Sequence, residues 1–284
     1  MDKNKHQNVS SGLYLVSTPI GNMEDITFRA LNILKKSDII LCEDTRRSGK
    51  LLLHFKIKSK LISYHKFNEK KISDFIIDSL KGNKIISLIS DAGTPTISDP
   101  GLVLVNKCID KNLDIYPIPG PSAVTAAISS SGFSDKYLFY GFLTKKEKEL
   151  NNVLKKLVDT NYSIVFFIPG SKINFYIEKF KVFFSDRNIL IAKEMTKMHE
   201  KFIRGKISSI KSIPLNTKGE FTIVISEKII KNNIKEKIDD SIKVEIKKML
   251  KKYSHKDVVD FISKKENLPK KIVYNFCLNL KKQI

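Results

Sequence analysis

From residue 13 to about 119, short apolar runs of strand length alternate with amphipathic stretches of helical period. Residues 13–17, 38–42, 61–64, 85–89 and 114–118 are the apolar runs. Between them, Ile26, Ala30, Leu31, Ile33 and Leu34 recur at helical spacing up to about Lys36, and residues 45–54, 69–81 and the stretch after Gly101 read as further helices. Asn22-Met23-Glu24-Asp25 reads as the cap of the first helix. Strands alternating with helices in this way build a mainly parallel sheet covered on both faces. The fold class is therefore α/β.

In such a sheet, ligands bind outside the carboxyl ends of the strands. The run 85–89 ends there in Ser90-Asp91-Ala92-Gly93-Thr94-Pro95-Thr96-Ile97-Ser98-Asp99-Pro100-Gly101, with two glycines, two prolines and two aspartates. Its backbone can approach a ligand closely while its carboxylates take hydroxyls or a cation. The loops Thr18-Pro19-Ile20-Gly21-Asn22, Glu43-Asp44-Thr45-Arg46-Arg47 and Pro119-Gly120-Pro121-Ser122-Ala123 begin at other strand ends and cluster at the same edge. Together they suit a zwitterionic, cationic cofactor beside a phosphate-bearing substrate.

Other chemistries lack their signatures. The first strand is not followed by G-x-G-x-x-G, and Ser48-Gly49-Lys50 lacks the upstream glycine of a phosphate loop. No G-x-S-x-G elbow is present, and the five histidines show no metal-ligand spacing. The isolated cysteines Cys42, Cys108 and Cys277 read as buried free thiols of a reducing cytoplasm. Residues 1–11 lack the apolar centre of a signal peptide, and no apolar run approaches a membrane span.

The punctuation at Pro119-Gly120-Pro121 divides the chain into a first α/β domain, 12–119, and a second, 120–228. In the second, Ser122 caps a small-residue helix, helices occupy 145–158 and 171–183, and five strands are expected at 137–143, 162–168, 188–194, 199–204 and 220–226. Two of these follow one another without a helix, which implies a mixed sheet. A third module, 229–284, carries 15 lysines against seven acids. It reads as three short helices, with a capping box at Ser254-His255-Lys256-Asp257 and Pro269 opening the last. The formal charge of +21 points to a polyanionic partner. Only five of the 51 basic residues are arginines, which makes those five the candidates for planar recognition of phosphate.

The first-domain loops, with Glu194-Met195-Thr196-Lys197 and Gly219-Glu220-Phe221, resemble the ribosomal small subunit methyltransferase I family, whose members have the tetrapyrrole-methylase fold. The resemblance spans residues 12–284 and extends to a helical tail. It implies two α/β domains with S-adenosylmethionine between them, a homodimer, no metal, and 2′-O-methylation of a decoding-site cytidine in 16S rRNA. By the same resemblance, cofactor contacts fall on Pro19, Gly21, Asp91, Ala92, Gly93, Thr94, Pro95, Pro121, Ser122 and Ala123. Fold similarity adds the strand ends near Phe167 and Ala192. The family usually reads Tyr-Glu-Ser-Pro-His-Arg where this chain has Phe167-Ile168-Pro169-Gly170-Ser171-Lys172, so contacts there are not carried over.

A ribose hydroxyl attacking a sulfonium methyl must be aligned with it and must lose a proton. Asp44, Asp99 and Glu194 are the candidate catalytic acids, with Asp44 or Asp99 as the base, and Arg46, Arg47 and Lys197 grip the RNA. Two alternatives use the same fold. One is a ribosome-binding protein with little catalysis, which the altered 168–172 segment suggests. The other is a methylase of a tetrapyrrole, against which the charge argues, because a small planar substrate needs no such field.

Overall fold

The computed structural model describes residues 9–214, 219–228, 238–266 and 268–281. Two compact units divide the chain after Lys228.

The first unit holds two five-stranded sheets. In the first, β1 (Gly12–Val16), β2 (Ile39–Cys42), β3 (Lys60–Ser63), β4 (Ile85–Leu88) and β5 (Ile115–Ile118) lie in the order β3-β2-β4-β1-β5. Every pairing is parallel. Helices α1 (Phe28–Lys36), α2 (Thr45–His54), α3 (Glu69–Lys81) and α4 (Leu102–Asp110) make the crossovers. Successive strand residues point to opposite faces. Leu13, Ile39 and Leu41 join one apolar cluster, while Tyr14, Ile40 and Cys42 join another behind the sheet. Because both faces are buried, these strands read as unbroken apolar runs.

The first helix begins later than its sequence suggests. Asn22 accepts from the Glu24 amide at 3.0 Å, but it caps only a single 3-10 turn, Met23–Asp25. The chain then extends at Ile26, which packs behind the sheet, and Thr27 caps α1 by accepting from the Ala30 amide at 3.1 Å. Burial of a β-branched residue outweighs helical continuity there.

The second sheet comprises β6 (Tyr137–Phe142), β7 (Ser163–Pro169), β8 (Asn188–Lys193), β9 (Lys201–Lys206) and β10 (Glu220–Ile225), in the order β6-β7-β10-β8-β9. Only β6 and β7 run parallel, so the sheet is mixed. One face packs on α6 (Glu147–Leu157) and α7 (Ile173–Phe183), through residues such as Leu150, Phe166 and Phe180. The other receives α5 (Ala123–Ser131), whose Val124 and Ala127 meet Val165, Leu190 and Ala192.

The second unit contains α8 (Asp240–Met249), α9 (His255–Glu266) and α10 (Lys270–Lys281). Ile246, Val258, Ile262, Val273 and Cys277 form its own fully buried core. Ser254 accepts from the Asp257 amide at 3.2 Å at the start of α9, and the amides of Ile272 and Val273 donate to the Pro269 carbonyl. Of the lysine-rich module, residues 229–237, 267 and 282–284 lie outside the described residues. All three cysteines are buried free thiols. Among the described residues, no helix is long and apolar enough to cross a membrane.

Candidate active site

The loops at the carboxyl ends of β1, β4 and β5 are tied to one another. Thr18 and Gly93 exchange two backbone hydrogen bonds of 2.9 Å, and the Thr18 hydroxyl donates to the Ser90 carbonyl at 3.1 Å. Thr94 Oγ1 donates to the Pro121 carbonyl at 3.3 Å, so the Ser17 hydroxyl, 3.0 Å away, donates to Thr94. These bonds make one fixed lip from three separate loops.

Facing that lip are strand ends of the mixed sheet, and between them lies a cavity of about 260 Å³. Ala92, Gly93, Thr94, Ser122 and Ala123 form the loop wall. Phe142, Phe167, Ala192, Phe221 and Thr222 form the opposite, mainly apolar wall. Asp91, Asp99, Arg47, Glu194 and Lys197 add charge around it.

Pro19, Gly21, Pro95 and Pro121 stand outside this lining. Gly21 serves close approach instead: a Cβ there would meet Lys197 Cγ at 2.5 Å and Thr196 Oγ1 at 2.7 Å. With the Asn22 amide donating to Thr196 Oγ1 at 3.0 Å, the β1 loop seats on the turn after β8 and closes one end of the cavity.

Phe142 and Thr222 line the cavity without having stood out in the sequence, whereas Met195, also on the lining, belongs to the Glu194–Lys197 motif. The sequence signal for Phe142 is Gly141, a glycine inside a strand pattern. Gly141 has φ +84°, the register with β7 shifts there, and a Cβ would meet Ser98 Oγ at 2.9 Å. The bulge lays the Phe142 ring against Phe167, with centroids 5.4 Å apart.

The carboxylates differ sharply in state. Asp44 caps α2 and holds Arg46 in a fork, accepting from the Arg46 amide at 2.9 Å, from Nε at 3.1 Å and from a terminal nitrogen at 2.9 Å. That pairing lowers its pKa to about 2. Asp91 accepts from the Asp44 amide and from Arg47, each at 3.2 Å, and so joins the β2 and β4 loops. Burial acts to raise the Glu194 pKa, but the Glu220 amide at 3.0 Å and Lys197 Nζ at 3.1 Å outweigh it and hold the group ionised. Asp99 is the opposite case. Burial, reinforced by the negative charges of Glu43, Asp91 and Glu220, pushes it up to about 7.

Asp44 and Arg46 lie instead in an open depression of about 510 Å³, lined also by Glu43, Ser63, His65 and Phe67. Arg47 and Asp91 border both hollows, so the two are adjacent. Two other arginines bond backbone carbonyls. Arg187 is buried and donates to the carbonyls of Ser226, Val158 and Thr160, and Arg204 donates to the Ser130 carbonyl. Among the described residues, no group of three or more His, Cys, Asp or Glu is arranged to hold a metal ion.

The sequence profile described as Tetrapyrrole (Corrin/Porphyrin) Methylases matches residues 12–211. A ribosomal RNA small subunit methyltransferase I of Mesomycoplasma conjunctivae is 44% identical over 232 residues, covering 81% of this chain and 97% of that protein. The protein of the same name from Thermotoga maritima is 43% identical over 222 residues, 76% of this chain and 98% of its own. Both are almost wholly matched by part of this chain, which therefore carries a segment they lack. Among solved structures, a diphthine synthase superposes with a TM-score of 0.61 at 14% identity, covering 75% of this chain and 89% of that one. A cobalt precorrin-4 methyltransferase gives 0.55 at 16% identity, with coverage of 75% and 94%. At that identity the two structures share the fold.

Proposed function

This chain belongs to the ribosomal RNA small subunit methyltransferase I family, within the tetrapyrrole methylases, and on that premise we propose that it methylates the 2′-hydroxyl of a decoding-region cytidine in 16S rRNA. S-adenosylmethionine is the methyl donor in this reading. The observation that carries the assignment of roles is the cavity that joins a polar loop wall to an apolar strand wall with Asp99 on its lining.

The residues present fit that cofactor. Phe167, Ala192 and Thr222 offer an apolar surface for a flat ring, while Ala92–Thr94, Ser122 and Ala123 bring backbone and small polar groups to the facing side. When bound, the cofactor supplies an activated methyl group on a positively charged sulfur. The Asp91 carboxylate puts negative charge on the cavity lining, which favours a cation.

Asp99 is the base in this mechanism. A carboxylate titrating at about 7 is half ionised at neutral pH and accepts a proton more readily than an ordinary aspartate. With the cofactor bound, Asp99 would take the proton of the ribose hydroxyl as the oxygen–carbon bond forms and the donor's sulfur–methyl bond breaks, leaving a neutral thioether. Asp44, lowered to about 2 and held by Arg46, is too weak a base for this step. Arg47 and Lys197 line the same cavity and hold the RNA backbone as fork and point charge respectively.

The reading includes a homodimer. Edge strand β6 exposes Tyr137, Leu138 and Tyr140, an apolar surface suited to a second copy. Sedimentation of the full chain tests it. The function is tested by mass mapping of 16S rRNA from cells with and without the protein. A ribose-methylated cytidine that disappears with the protein is the expected result; an unchanged map overturns the assignment.

A further inference from the structure

The open depression beside the cavity holds residues that neither cofactor binding nor proton transfer uses. One rim is the turn after β3. There the His65 amide donates to Asn68 Oδ1 at 2.8 Å, Asn68 Nδ2 donates to the Ser63 carbonyl at 3.0 Å, and the Asn68 and Glu69 amides donate to the His65 carbonyl at 2.9 Å. At the tip of this fixed turn Phe67 is 94% exposed, so it adds almost nothing to the core. Its ring meets His65 edge-on, with centroids 6.0 Å apart. The Phe67 amide donates to His65 Nδ1 at 3.2 Å. That bond occupies Nδ1 and leaves Nε2, at the outer end of the ring, for a ligand. Arg46, 88% exposed, is held by Asp44 through one side of its fork and keeps further donors for an anion.

We propose that this depression is a nucleotide subsite in which Phe67 stacks on an unpaired base flanking the methylated nucleotide, while Arg46 and His65 take its phosphate. The inference rests on the RNA-methyltransferase reading above. Proteins that recognise RNA bind unstacked bases against aromatic faces, and such stacking tolerates any base. Because Arg47 and Asp91 border both hollows, a nucleotide in the depression adjoins one whose ribose enters the cavity. The open, polar shape suits a backbone passing through, not a small molecule enclosed.

The test compares the full-length wild type with Phe67→Ala, Phe67→Leu and Phe67→Trp. Methylation is measured on small ribosomal subunits lacking the modification, and binding on protein-free 16S rRNA. Loss of the ring should raise KM for subunits and weaken rRNA binding roughly 5- to 150-fold in the Ala and Leu variants, with a smaller change in kcat. Phe67→Trp should restore most of the loss. Calorimetry with S-adenosylmethionine should give the same Kd throughout, which reports an intact fold. An Ala variant within about twofold of wild type would overturn the subsite, given the size of the stacking effect. So would a fully active Leu variant, which needs only an apolar contact. A defect confined to subunits and absent with protein-free rRNA would place a ribosomal protein over Phe67 and overturn it too. Wild type that methylates no RNA sinks the underlying reading along with the subsite; Phe67 variants that behave as wild type sink the subsite alone.

Discussion

The cleft and the helical tail use charge in different ways. In the cleft, neighbours assign each acid its own state: Asp44 is lowered to about 2 by Arg46, while Asp99 is raised to about 7 by burial and surrounding acids. In the tail, α8–α10 enclose an independent apolar core and leave Lys247, Lys248, Lys251 and Lys252 on the exposed side. Against a polyanion, exposed lysines of this kind act through their summed charge more than through the place of any one of them. Substitutions in the cleft should therefore have large effects specific to one step. Those in the tail should be small, additive and dependent on salt.

The strongest test of this contrast is Asp99→Asn. It keeps the shape of the side chain and removes the base, so kcat should fall by about 10²–10⁴ while cofactor affinity stays near wild type. The wild-type rate should rise with pH and level off above about 7, because only the ionised carboxylate accepts a proton. In the variant that limb should vanish. Stability carries the same signature. The folded carboxyl titrates above its ordinary value of 3.8, so between roughly pH 4 and 7 the folded chain binds more protons and loses stability as pH rises. Asp99→Asn should therefore melt higher than wild type at about pH 8 and at the same temperature near pH 4. An unchanged rate profile removes Asp99 from the proton transfer.

Asp91→Ala ranks second. The carboxylate bonds the Asp44 amide and Arg47, each at 3.2 Å, and forms part of both hollows. Losing a charged hydrogen-bonding group in the cofactor wall should cost about 1.5–3 kcal/mol, roughly 10- to 150-fold in affinity. Calorimetric titration decides it, and an unaltered Kd would take Asp91 out of the cofactor site.

How much of this was legible in the sequence follows from the same physics. The loop 90–101 stood out because a backbone that must turn tightly draws on glycine, proline and aspartate, which strands and helices avoid. Parallel strands and tail helices were legible from periodicity, since β1–β5 bury both faces and α8–α10 bury one stripe. The apolar wall was harder to read. Phe142 and Thr222 are ordinary strand residues until the bulge at Gly141 and the pairing of β10 with β7 and β8 bring them to the cavity. Nor could spacing separate Asp44 from Asp99. Asp44 pairs locally with an arginine two residues on, whereas the acids around Asp99, namely Glu43, Asp91 and Glu220, are brought there by tertiary structure. Arg187 looked equally available for phosphate until burial placed it against three carbonyls.

Deleting residues 239–284 should weaken binding to ribosomal subunits and flatten its salt dependence, with cofactor affinity unchanged. Each phosphate contact removed lowers the slope of log K against log salt by about 0.7–0.9. The tail has its own core, so its loss should leave the melting of the first unit intact. A truncated protein that stays folded and keeps the full salt slope would break the contrast with the cleft.

The smallest effects, and the finest test, come from single tail lysines. Lys247→Gln, Lys251→Gln and Lys256→Gln each remove one exposed charge from an otherwise unchanged helical unit. If the tail acts through summed charge, each should reduce subunit affinity by a few-fold at most, and those that meet a phosphate should each lower the salt slope by about 0.7–0.9. Combined, the losses in log affinity should add, because exposed lysines share no partner through which to couple. kcat should not move in any of them. A single variant as damaging as the full deletion would show that the tail, like the cleft, depends on one placed residue, and affinity measured at three or more salt concentrations distinguishes the two cases.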